Sequence, residues 1–257
     1  MRSRTRTLLV ALGVTAALTA GCSTADSGIR KVGDRITPTE ATALADLLHK
    51  DSAEGGADFV VTAPYSPGAV LTLTGAVDFR RSVGRAQAVT TFSNGRPDDT
   101  RTVFFSPQDL WVGDVHGLAE ALARDGARKA TYLRRPLASP DDPAGTPLMD
   151  VVARIVVDLS APTRDHASDF LAGGYSWQGQ RSIDGRLASL FRLRDGSSVA
   201  VAASGGLLLQ YVAPLAGGHF DVTVTLTDHG PRTIDLPANA ETAAVADHRA
   251  VAEALGV

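Results

Sequence analysis

The sequence predicts an α+β domain built on one large antiparallel β-sheet, with a few apolar helices available to cover it. Three observations carry this expectation. Much of the chain between residues 57 and 227 alternates apolar and polar residues, most cleanly where Phe220, Val222, Val224 and Leu226 interleave with Asp221, Thr223, Thr225 and Thr227. Asp195-Gly196 and Gly205-Gly206 stand between successive strand segments as hairpin turns, and strands joined by short turns must run antiparallel. Helical periodicity is confined to a few stretches, the strongest running from Leu148 to Leu159.

The first 21 residues have the three parts of an export signal. Arg2, Arg4 and Arg6 supply the positive end, and Leu8 to Leu18 form an apolar run too short to span a bilayer. Leu18-Thr19-Ala20-Gly21 then leads directly into Cys22, the single cysteine of the chain. That is the arrangement of a lipobox. Residues 1–21 are therefore expected to be a lipoprotein signal peptide, and Cys22 the residue lipidated with palmitate-type acyl chains. Those chains would hold the protein on the outer, extracytoplasmic face of the cell membrane. Two adjacent arginines, as the twin-arginine route needs, do not occur in this segment.

Residues 22–36 are polar and short and are read as the lipidated tether. Residues 37–257 are read as a single domain, because no long Ser/Gly/Pro linker divides them and no internal repeat is evident. The richest breaker cluster, Ser139 to Gly145, has only the length of a loop. One cysteine permits no intramolecular disulfide, so the fold must hold by its core alone. Removing residues 1–21 takes away three arginines and no acids, which moves the net charge from −3 to −6. That balance argues against nucleic acid as a partner and against an electrostatic grip on anionic lipid heads. The basic residues are arginine throughout, apart from Lys31, Lys50 and Lys129. With abundant alanine, this is the composition of a high-GC genome such as an actinomycete's.

Thr37-Pro38-Thr39-Glu40 reads as a helix start: an N-cap, a proline at the first helical position and the glutamate of a capping box. Leu44, Leu47 and Leu48 continue it as an apolar stripe. A second short helix is expected after Asp114, with Leu118 and Leu122 on one face. In the Leu148–Leu159 helix, Leu148, Val151, Val152, Ile155 and Val156 share the apolar side, with Asp150, Arg154 and Asp158 opposite. A weaker helix is expected from about Glu241 to Leu255. Strands are expected near residues 57–64, 71–79, 85–93, 100–105, 108–113, 174–183, 187–194, 198–203, 206–212 and 220–227, with Leu71, Leu73 and Val77 on one face of the second.

No catalytic residue is expected. No Gly-x-Ser-x-Gly elbow, Ser-x-x-Lys, His-Glu-x-x-His, phosphate-binding glycine loop or EF-hand loop occurs. His49, His116, His166, His219, His229 and His248 are scattered, so neither a metal nor another cofactor is expected. Gly217-Gly218 reads as a turn. Asp228-His229-Gly230 pairs an acid with an imidazole, but a strand-terminating turn explains it better. Asp141, Asp142 and Asp150 read as solvated acids in preference to a cation site. Tyr175 and Trp177 share one strand face, read as buried in preference to a partner-binding strip.

Taken together, the lipobox, the Thr-Pro-capped helix, Phe59-Val60-Val61-Thr62 and Leu71-Thr72-Leu73-Thr74-Gly75 resemble a known group. So do Gly185, Asp195-Gly196, the Phe220–Gly230 strand and Ile234-Asp235-Leu236-Pro237. The pattern resembles the actinobacterial, including mycobacterial, lipoproteins typified by LprG and LppX, whose fold is related to the LolA and LolB lipoprotein carriers. The resemblance implies a strongly curved antiparallel sheet, a half-barrel, closed on its concave side by helices. It also implies an apolar cavity that holds a lipid or glycolipid. On that basis Leu71, Leu73, Val77, Leu148, Val151, Val152, Ile155, Val156, Phe220, Val222 and Val224 are expected to line it. The implied function is carriage or presentation of that lipid in the cell envelope. The alternative is a non-catalytic, protein-binding or regulatory lipoprotein of the same fold with a filled core.

Overall fold

A computed structural model describes residues 30–139, 145–215 and 220–257. The expected signal peptide, Cys22, most of the Ser139–Gly145 loop with Asp141 and Asp142, Gly217-Gly218 and His219 lie outside the described residues.

Helix α1 (Pro38–Glu54) starts where its sequence dictates. The Thr37 hydroxyl accepts the Glu40 amide at 3.3 Å, while the Glu40 carboxylate accepts the Thr37 amide at 2.8 Å. It ends at Gly55, whose left-handed φ of 93° would strain any other residue and whose amide donates to the Asp51 carbonyl. The chain then enters a meander of β1 (Gly56–Ser66), β2 (Ala69–Asp78), β3 (Val83–Phe92), β4 (Asp99–Phe105) and β5 (Asp109–Gly113). A short helix α2 (Leu118–Arg124) leads to β6 (Tyr132–Pro136), and α3 (Leu148–Asp158) and α4 (Ala167–Ala172) follow. A second meander, β7 (Ser176–Ile183), β8 (Arg186–Arg192), β9 (Ser198–Ala202), β10 (Leu208–Pro214) and β11 (Asp221–Thr227), brings β11 back to pair with β1. The sheet therefore has twelve strands in the order β12-β6-β5-β4-β3-β2-β1-β11-β10-β9-β8-β7 and is open. All neighbours are antiparallel except β12 (Thr242–Ala244), which runs parallel to β6. Helix α5 (Arg249–Leu255) closes the chain.

The alternation seen in the sequence is the alternation of faces. Phe59, Val61, Leu73, Val77, Val103, Phe105, Val222, Val224 and Leu226 point to one side and form a single core with α1 and α3. The opposite face carries Thr62, Thr72 and Thr74, with smaller apolar groups around Leu209 and around Phe104 and Trp111. Residues 231–238 strap across that outer face. There Ile234 packs with Phe104 and Trp111, the Arg81 guanidinium donates to the Ile234 carbonyl at 2.9 Å, and Arg232 pairs with Asp58 at 2.8 Å.

The structure departs from the sequence reading in four places. β6 and β12 were not foreseen: among β6 positions only Leu133 is buried, and β12 has three residues, so neither shows a period of two. Helix α4 has no buried residue and hence no stripe. The helix expected from Glu241 begins only at Arg249, because residues 239–244 form a 3-10 turn and then pair with β6. Asp150 is not a solvated acid: it is fully buried and accepts both guanidinium arms of Arg135, at 2.8 and 2.6 Å, together with the Ala138 amide at 2.6 Å. This carboxylate ties α3 to β6.

Removing it would leave the Arg135 charge half-buried and unpaired. Asp150→Ala is expected to cost about 3 kcal/mol, read as a lower urea midpoint with an unchanged slope. Loss of less than about 0.5 kcal/mol would mean that the pair does not anchor α3.

Candidate functional site

Helix α1 packs on β1 and β10 and helix α3 on β3, but between these contacts, toward β9 and the end of β8, the helices leave a gap. The space left is a cavity of about 380 Å³. Leu44, Leu47 and Leu48 of α1 form one wall, and Ile155 and Leu159 at the end of α3 form another. Phe170 of α4 and Tyr175 cover it, their rings 5.1 Å apart. The sheet contributes Leu193, Val199, Leu208 and Tyr211. The lining is mostly hydrocarbon and aromatic ring, with Asp158, Asp165 and the hydroxyls of Tyr175 and Tyr211 as its side-chain polar groups.

Of the positions expected to line a cavity, Ile155 lines this one. Leu71, Leu73, Val77, Val152, Val156, Val222 and Val224 sit together in the closed core, each at most 5% exposed. Leu71 and Leu148 also border a smaller space of about 220 Å³ beside Met149. Val151 is half-buried on the side of α3 away from that core, and Phe220 is half-buried just before β11. Tyr175 and Trp177 are half-buried and packed on the core, and the Trp177 backbone exchanges hydrogen bonds with Gly33 and Asp34. The α1 leucines were legible as a stripe. Val199 and Leu208 were legible as strand positions, but no local signal says which part of a sheet is left uncovered.

One wall residue is held in an unusual way. Leu208 pairs with Val201 of β9, but the β10–β11 ladder begins only at Gln210, so the backbone groups of Leu208 on that side need partners from elsewhere. Asp51 Oδ1 accepts its amide at 3.3 Å, and His229 Nε2 donates to its carbonyl at 2.9 Å. The two side chains approach each other at 3.8 Å and are almost wholly buried. The acid that meets His229 is therefore Asp51, from α1, while Asp228 ends β11 in the left-handed region with φ 47° and offers its carbonyl to Arg232. Asp51 Oδ2 and His229 Nδ1 have no hydrogen-bond partner among the described residues. Burial pushes the Asp51 carboxyl up to about 8, against which the Leu208 amide works. Burial likewise lowers the His229 imidazole, so both groups are neutral near pH 7.

Among the described residues no cluster of three or more His, Cys, Asp or Glu could hold a metal ion, and no helix is long and apolar enough to cross a membrane.

No protein-family model and no characterised protein matches the chain. Solved structures do. LprF from Mycobacterium bovis matches with a TM-score of 0.45 at 14% identity, over 80% of this chain and 100% of that one. An uncharacterised conserved protein from Thermus thermophilus matches with 0.42 at 8% identity, over 80% and 99%. MucB, in its complex with MucA from Pseudomonas aeruginosa, matches with 0.33 at 15% identity, over 78% of this chain and 59% of that one.

The Asp51–His229 pair sets a pH dependence whose sign follows from the shifts. Because Asp51 holds its proton more tightly in the fold than in the unfolded chain, its contribution is fully present below about pH 4. It is lost progressively as pH rises toward 8. His229 acts oppositely: its depressed value favours the fold above its ordinary pKa of about 6.5, and that contribution is lost as pH falls. Asp51→Asn keeps an acceptor for Leu208 and removes the titration. It is expected to raise Tm relative to the wild type by several degrees at pH 8.5 and by much less at pH 5. Equal effects at both pH values would show that Asp51 is not protonated in the fold.

Proposed function

We propose that the protein is a non-catalytic lipoprotein, anchored through acyl chains on Cys22 to the outer face of the cell membrane. There it holds a lipid or glycolipid acyl chain in the cavity between α1, α3, α4 and β8–β10 for carriage or presentation in the envelope. The observation that carries this reading is the cavity itself. Its volume falls within the range of about 300–1,000 Å³ usual for ligand sites, and its walls are hydrocarbon. Each methylene moved from water into such a space contributes about 0.8 kcal/mol, so a long chain is retained without any polar contact. No bond need be made or broken. Exposed large apolar residues, Val32, Val60, Leu171 and Leu187, fall on different elements, which favours an internal site over a protein-docking patch.

Two measurements test this. A form starting at Ser23, purified from its own host, is expected to carry a stoichiometric lipid in native mass spectrometry. Leu48→Trp with Ile155→Phe, which fill the cavity from two walls, are expected to remove that lipid while keeping the fold. A lipid-free wild type that stays so after incubation with host lipid extract would sink the reading. For the anchor, Cys22→Ala is expected to move the full chain from the membrane fraction to the soluble one, and its retention in the membrane would exclude acylation at that residue as the attachment.

A further inference from the structure

If the cavity takes an acyl chain, as proposed above, its rim selects the head group. Besides the hydroxyls of Tyr175 and Tyr211, the side-chain polar groups that line it are Asp158 and Asp165, and both are exposed. Among the described residues no lysine, arginine or histidine lines it. The nearby basic groups are engaged elsewhere or stand outside the lining. Arg154, one turn before Asp158 on α3, donates to the Ala138 carbonyl at 2.6 Å, Arg164 pairs with Asp46 at 3.4 Å, and His166 and Arg194 are exposed beside lining residues.

A second feature adds to the same sign. Asp158 is the last residue of α3, an eleven-residue helix, so the negative end of that helix dipole and its free carbonyls lie at the rim. The Asp158 carboxyl is raised from its usual range, by burial first and against the pull of Arg154, as expected of an acid partly withdrawn from water. A carboxylate, phosphate or sulfate head placed here would meet like charge at the rim. An ammonium or hydroxyl head would instead donate hydrogen bonds to two carboxylates that accept no side-chain hydrogen bond among the described residues.

We propose that this cavity takes a single-chain amphiphile whose uncharged or cationic head carries hydrogen-bond donors, and that Asp158 and Asp165 discriminate against anionic heads. The chemistry shared by the two accepted classes is the donor, hydroxyl or ammonium, and the test separates them.

The Ser23–Val257 form retains the whole compact unit from Lys31 onward and is the protein to use. Three probes with the same twelve-carbon chain are titrated below their aggregation concentrations at pH 7.5 and followed by calorimetry: monododecanoylglycerol, dodecylamine and dodecanoate. The hydroxyl and ammonium probes are expected to bind at least tenfold more tightly than dodecanoate. Asp158→Asn with Asp165→Asn, both exposed and so tolerable to the fold, is expected to close that gap to threefold or less. Dodecanoate binding as tightly as the glycerol ester, or a gap that survives in the double variant, overturns the rim assignment and leaves the lipid-binding reading standing. Failure of all three probes to bind the wild type overturns the lipid-binding reading, and the rim assignment falls with it.

Discussion

The inner faces of β1, β2 and β11 carry Phe59, Val61, Leu73, Val77, Val222, Val224 and Leu226, and keeping that surface from water is the constraint on which the rest of the structure depends. At about 25 cal/mol per Å² this burial is the main favourable contribution to the fold, since no disulfide is available. An open sheet cannot cover itself, so the cover must be helix. Two helices supply most of it: α1, which packs on β1 and β10, and α3, which packs on β3. What they reach is closed. What they leave unfilled, between their own side chains and those of Leu193, Val199, Leu208 and Tyr211, is roofed by α4 and Tyr175 and remains hollow. The cavity is thus a consequence of sheet width exceeding helical cover.

This explains which features were legible in the sequence. A strand with one wet face must alternate, so β1, β2 and β11 could be read with nearly correct bounds, as could the turns at Asp195-Gly196 and Gly205-Gly206. The start of α1 was legible because the capping box is local. The cavity was not, because alternation reports which residues face inward and not what lies opposite them. Val222 and Val199 read identically along their strands and both belong to the core, yet Val199 also borders the cavity. β12 was invisible for a related reason: its pairing with β6 is made by the tertiary fold, and three residues cannot show a period.

The buried aspartates show the same limit from the polar side. Asp51 lies on α1 between Leu47 and Gly55, and Asp150 lies on α3 opposite the valines. From spacing alone each could as well face solvent. Their environments divide them. Asp150 receives a bidentate guanidinium and an amide, so its charge is matched, whereas Asp51 receives one amide and only neighbours the His229 imidazole, 3.8 Å away. A carboxylate in the second setting is cheaper to bury protonated than charged. Its use is local: with His229 it satisfies the backbone groups of Leu208 that the β10–β11 ladder, which begins at Gln210, leaves without a strand partner. The polar strain and the apolar hollow therefore meet at one residue.

The roof follows from the same reasoning. α4 has six residues, no side-chain cap at His166 and no buried residue, and a helix that short has almost no stability of its own. Its apolar side chains, Phe170 foremost, face a space without filling it. Anything apolar that enters gives Phe170 and Tyr175 the contacts that the fold leaves unmade, so occupancy and roof stability are linked quantities. The cavity is not separate from the core, since Phe191, Val199, Val201 and Leu208 belong to the same cluster as the inner faces of β1 to β3.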